Sequence, residues 1–134
     1  MSQYIKDSFL ASLERCLSSD AFIQAFYDRF LSQSQTVRDR FAHTDMALQG
    51  QKLATSLRIL GSAVAGEPAG LRELAERAET HGRLQMNITP DMYELWKASI
   101  LRTASEHDPA WTPDVGQAWV RTVDLAVNYM ISRA

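Results

Sequence analysis

The stretch FIQAFYDRFLSQSQTVRDRF, residues 22–41, decides how the rest of the chain is read. Phe22, Phe26 and Phe30 recur at helical spacing and line one side of a helix. Ile23, Tyr27 and Phe30 line an adjoining side. Tyr27 therefore stands on an apolar face, where its ring can be buried while the hydroxyl keeps a partner. A tyrosine so placed is either a core aromatic with a local partner or a donor aimed at a bound group. A second, short helical piece over about 35–41 follows and closes on Phe41.

Working outward, helix patterns continue and alternating strand patterns are absent. The spacing predicts helices over about 3–17, 19–33, 35–41, 45–65, 69–80, 90–105 and 113–132. Ser18 or Ser19 is the expected cap of the second. Thr89-Pro90-Asp91 and Thr112-Pro113-Asp114 each read as N-cap, first helical residue and first-turn acid. Gly66, Pro68 and Gly70 mark a break, and Pro109 ends the helix before it. Seven unequal helical pieces argue for an all-α fold. A regular four-helix bundle is the first rival, but the short piece near 35–41 favours an irregular bundle with steep crossings.

The length of 134 residues suits one domain, 1–134. Apolar residues make up 46% and charged residues 22%, as in ordinary globular proteins. A net charge of -2, from 14 basic and 16 acidic side chains, offers no basic field for nucleic acid or anionic lipid. No apolar run is long enough to span a membrane, and the polar start does not read as a signal peptide. Cys16 is the single cysteine, so no intrachain disulfide forms and a reducing, cytoplasmic setting is expected. His43, His81 and His107 are too far apart for a zinc helix motif, and no phosphate-binding glycine loop or nucleophile elbow is present.

The informative residues are polar ones on apolar stripes. Leu71, Leu74 and Ala78 lead to His81 on one line. An inward imidazole there is a satisfied core histidine, a metal ligand or a helix-end cap. Met46, Leu53, Leu57, Leu60 and Val64 form another stripe, and Gln49 lies on it. Its amide either reaches water at the margin or bonds a bound group. With Tyr27, these residues outline one apolar cavity with a nitrogen ligand on one wall and hydrogen-bonding groups elsewhere.

These segments, in this order, resemble the bacterial single-domain haemoglobins and are similar to the globin domain of flavohaemoglobins. Phe26-Tyr27-Asp28-Arg29-Phe30 and Val37-Arg38-Asp39-Arg40-Phe41 resemble the second and third globin helices. Thr44-Asp45-Met46 with Gln49 and Leu53 resembles the start of the distal helix. Leu71-Arg72-Glu73-Leu74-Ala75 leading to His81 resembles the proximal one. Pro90-Asp91-Met92-Tyr93 resembles the start of the next helix.

The resemblance implies a globin fold of about seven helices with a pocket for haem b (iron protoporphyrin IX). It implies His81 as the iron ligand and Phe41 as a ring packed on the haem. Tyr27 and Gln49 become distal donors, Leu53 a distal apolar contact, and Tyr93 a proximal neighbour. Lys52 and Arg83, with His43 or Arg40 as further candidates, would face the haem propionates. The last helix matches up to Ser132-Arg133-Ala134, without the carboxylate that joins the proximal tyrosine and histidine in flavohaemoglobins.

The implied activity is tight O₂ binding, with NO or CO as other ligands. Nitric oxide dioxygenation with an external reductase, gas sensing through a partner, and a haem-free helical interaction module are the alternatives. Oligomeric state is left open.

Overall fold

The computed structural model describes residues 2–68, 70–73, 75, 76 and 89–132, with 130–132 described by backbone alone. Six helices are bounded within it: α1 (Gln3–Leu17), α2 (Phe22–Ser32), α3 (Gln35–Arg40), α4 (Met46–Val64), α5 (Pro90–His107) and α6 (Pro113–Ser132). Residues 70–73, 75 and 76 are helical as well, and the described residues contain no strand. The result is an all-α irregular bundle of about seven helices, as the spacing predicts.

Short polar side chains set most helix starts by accepting from first-turn amides left without intrahelical partners. Ser2 Oγ accepts from Ile5 N at 3.2 Å, and Ser34 Oγ from Val37 N at 3.4 Å. Asp45 Oδ1 accepts from both Ala47 N and Leu48 N. The two Thr-Pro-Asp starts behave as expected: Thr89 Oγ1 takes Met92 N and Thr112 Oγ1 takes Val115 N, each at 3.2 Å.

The second helix differs from expectation. It starts at Phe22 behind Ala21, with no side-chain cap, and Ser18 and Ser19 finish α1 instead. Ser18 donates both its N–H and its hydroxyl to Glu14 O, and Ser19 N bonds Cys16 O. A serine hydroxyl that can cap the helix ahead can equally bond the carbonyls of the helix behind.

α4 ends in a left-handed turn at Gly66, φ +83°. Gly66 N bonds Ala63 O and Glu67 N bonds Ser62 O, the paired closure that a glycine just past a helix end allows. The chain then returns close to α4. A Cβ on Gly70 would lie 2.5 Å from Ser62 Cβ and 2.7 Å from Ala63 N, so only glycine fits that approach. Leu71, expected on an inward stripe, is instead 51% exposed. The remaining members of that stripe, Leu74, Ala78 and His81, lie outside the described residues.

The packing is a crossed arrangement. α1 lies against α6, α2 crosses α5, and α4 packs on α1 and α2. Phe9, Phe22, Phe26, Ile100, Trp119 and Val123 are wholly inaccessible at the centre. Each such side chain contributes roughly 1.5–3 kcal/mol through apolar burial. Trp119 meets Phe9 edge-on at 4.9 Å. Arg29 ties α2 to α5, reaching Thr103 Oγ1 at 3.0 Å and Glu106.

A polar clamp lies inside this core. Trp119 Nε1 donates to Ser12 Oγ at 2.8 Å, and Ser12 Oγ donates to Asp108 Oδ2 at 2.6 Å. Asp108 also accepts from Arg15 Nη2 at 2.9 Å and Ala110 N at 2.8 Å, and its side chain is fully buried. Burial alone would raise its carboxyl; the bonds from Arg15, Ser12 and Ala110 outweigh this and hold it below the usual carboxylate range. The sequence shows His107-Asp108-Pro109 as a loop and cap. His107 fits that reading, with Nδ1 2.9 Å from Thr103 O, but Asp108 also ties its own loop to α1 through Ser12 and Arg15.

Candidate distal pocket

The residues that the resemblance singles out meet where α2, the end of α3 and the first half of α4 converge. Phe26 and Phe30 stack at 5.5 Å, which fixes the face of α2. Tyr27, beside them, is buried and packs edge-on against Phe26 at 4.9 Å. Phe41, half-buried just past α3, closes against Tyr27 at 6.2 Å and Phe30 at 6.0 Å. The Arg38 side chain bonds Leu31 O at 3.1 Å, tying α3 back to the end of α2. Leu53 of α4 is buried in the same core.

The Tyr27 hydroxyl donates to the backbone carbonyl of Gln49, across 3.5 Å. That contact is long, near the limit of a useful hydrogen bond. Burial pushes the Tyr27 phenol up, and hydrogen bonding with the Gln49 side chain offsets part of the effect, so the group is neutral at ordinary pH. Gln49 itself is half-buried on α4. The structure thus brings together Tyr27, Phe41 and Gln49, with Leu53 one turn along.

Other expected site residues stand apart. Lys52, one turn after Gln49, is exposed, and so are His43 and Arg40. Tyr93 is half-buried in the first turn of α5, where burial pushes its phenol up. His81 and Arg83, the expected ligand and propionate partner, lie outside the described residues. Among the described residues no three His, Cys, Asp or Glu side chains gather as a metal site.

One contributor was not legible in the sequence. Gly50 is buried in α4, and a Cβ there would stand 3.0 Å from Ile23 Cγ2. Its signal was a glycine inside a strong helical stripe, which usually has a packing reason.

Helix order, the short α3 with its terminal phenylalanine, and a tyrosine facing the start of α4 define the globin class of fold. Residues 11–130 match the globin family, and the chain belongs to that family. A crystal structure of a Pseudomonas aeruginosa PAO1 protein, described as structurally highly homologous to a human hemoglobin, is similar with a TM-score of 0.87. The two sequences are 28% identical, over 96% of this chain and 97% of that one. No curated protein matches the chain.

The described half of the pocket suits one face of a haem. Phe41 and Leu53 belong to one apolar cluster there, and no Asp, Glu, Lys or Arg between residues 22 and 64 is buried. A flat apolar group placed against these residues therefore meets no buried charge. The Tyr27 phenol meets the Gln49 carbonyl at the long distance of 3.5 Å, which leaves it available to a polar guest.

Proposed function

We propose that this globin holds haem b through His81 and binds O₂ tightly, with Tyr27 and Gln49 as distal donors. The observation that carries the reading is the hydroxyl of the buried Tyr27, directed at Gln49 of α4 across a long 3.5 Å contact. When bound, the haem iron supplies reversible coordination of a diatomic gas. His81 is the proposed nitrogen ligand, and its second ring nitrogen needs an acceptor to fix its tautomer and orientation. Phe41 and Leu53 cover the apolar face and exclude water. Lys52 and Arg83 are the proposed partners of the carboxylate edge, and Tyr93 a neighbour of His81.

The Tyr27 phenol gives up little on leaving the Gln49 carbonyl. In a dry pocket its O–H meets negative charge on a diatomic guest, an interaction stronger than in water. The Gln49 side-chain amide is the second proposed donor. NO and CO are further proposed guests, and an external reductase would be needed for nitric oxide dioxygenation. A fully buried free Cys16 is compatible with a cytoplasmic setting.

The test is the ferric and ferrous absorption spectrum of the haem-supplied protein beside two variants. Wild type and His107→Ala are expected to keep the Soret band and His81→Ala to lose most of it. Equal retention in both variants refutes the ligand assignment, and a folded wild type that takes up no haem refutes the function.

A further inference from the structure

Gly50 and Ile23 form a steric contact beside the Tyr27 hydroxyl. Ile23 and Tyr27 are four residues apart on α2, so they share a helix face. Gln49 and Gly50 are consecutive on α4. The Ile23–Gly50 contact and the Tyr27–Gln49 contact are therefore neighbouring points of one helix crossing. The first is tight: a Cβ at Gly50 would meet Ile23 Cγ2 at 3.0 Å. The second is already stretched at 3.5 Å.

We infer that Gly50 is a positioning residue for the distal pocket, setting the α2–α4 separation that places the Tyr27 hydroxyl. A methyl group at this point requires Ile23 Cγ2 to give by a few tenths of an ångström, and because a β-branched side chain is stiff at χ1 the displacement passes to α2. Tyr27 moves with its helix, and the phenol loses reach toward the pocket. A glycine inside a helix is otherwise unfavourable relative to alanine, so its presence here is accounted for by the close crossing. The inference rests on the proposed haem-binding reading.

A second glycine of α4 supplies the control. A Cβ on Gly61 would press on Leu13 Cδ2 at 3.2 Å, against α1 and away from Tyr27. The haem-loaded protein is compared with Gly50→Ala, Gly61→Ala, Ile23→Ala/Gly50→Ala and Tyr27→Phe. The readouts are the C–O stretching frequency of the CO complex, the O₂ dissociation rate and the urea midpoint of the haem-free protein. A donor beside CO lowers the stretch by favouring electron density on its oxygen.

Gly50→Ala is expected to raise the stretch part-way toward Tyr27→Phe and to speed O₂ release about three- to tenfold, the scale of one weakened hydrogen bond. Gly61→Ala is expected to lower the urea midpoint without moving the stretch. The double variant, with room restored at residue 23, is expected to return toward the wild-type stretch. An unchanged stretch in Gly50→Ala while Tyr27→Phe shifts it overturns the positioning role and leaves the function standing. An unchanged stretch in Tyr27→Phe removes the distal-donor reading, and this inference with it. If Gly50→Ala does not fold, the double variant decides: a wild-type stretch supports the inference, and a stretch like that of Tyr27→Phe overturns it.

Discussion

Replacing Asp108 by alanine removes the acceptor at the centre of the internal clamp. Ser12 loses the oxygen to which it donates at 2.6 Å, the Ala110 amide loses its 2.8 Å partner, and Arg15 loses its counter-charge. Breaking a fully buried ion pair from one side costs about 3–5 kcal/mol. Arg15 is 32% exposed and can turn to water, which lowers the expected loss to about 2–4 kcal/mol.

At roughly 2.1 cal/mol/K of unfolding entropy per residue, a loss of about 3 kcal/mol lowers the Tm by about 10 °C. Asp108→Asn keeps the shape and loses the charge, and its signature is in acid. Asp108 has a depressed carboxyl in the folded protein, so its stabilisation is fully present above the ordinary carboxylate value, about 4. It is lost as pH falls from there through the lower folded value. The asparagine variant should therefore show a shallower loss of stability below about pH 4. Thermal and urea unfolding followed by circular dichroism, from pH 7 to pH 2.5, measure both effects. Asp114→Asn, at an exposed residue bonded to Tyr4, should change stability by less than about 0.5 kcal/mol. An Asp108→Ala protein as stable as Asp114→Asn would refute the reasoning.

Stopped-flow O₂ release from Tyr27→Phe should be about tenfold to a hundredfold faster than wild type, the range for one donor meeting charge; an equal rate excludes Tyr27 as the donor. Cys16 is wholly buried with its thiol pushed up to about 12, chiefly by desolvation, so an aromatic disulfide reagent at pH 8 should label it only after denaturant is added. Gly66→Ala should destabilise by about 1–2 kcal/mol in urea titrations, because its left-handed φ is strained for alanine although space is open.

How much was legible in the sequence depended on the range of the interaction. The burial of Tyr27 is legible because its own helix carries three phenylalanines that orient it. The Thr-Pro-Asp caps were legible because a cap is a local bond. Ser18 and Ser19 were misassigned because a serine between two helices can bond either. Asp108 was hidden because its partners Ser12 and Arg15 lie 96 and 93 residues away, and no local pattern points to them. Gly50 was hidden for the same reason: the Ile23 methyl that requires it belongs to another helix. The Leu71 stripe was extended from periodicity alone, whereas Leu71 is largely exposed.

The clamp also bears on synthesis. Ser12 leaves the ribosome well before its partners Asp108 and Trp119, which follow 96 and 107 positions later. Until then, the nascent α1 has no indole for Phe9 to meet. Such distant pairings are slow to form because chain closure precedes any gain. Docking of α1 onto α6 is therefore late relative to the synthesis of α1, and it seals the hydroxyl and carboxylate from water only once Asp108 and Trp119 have emerged.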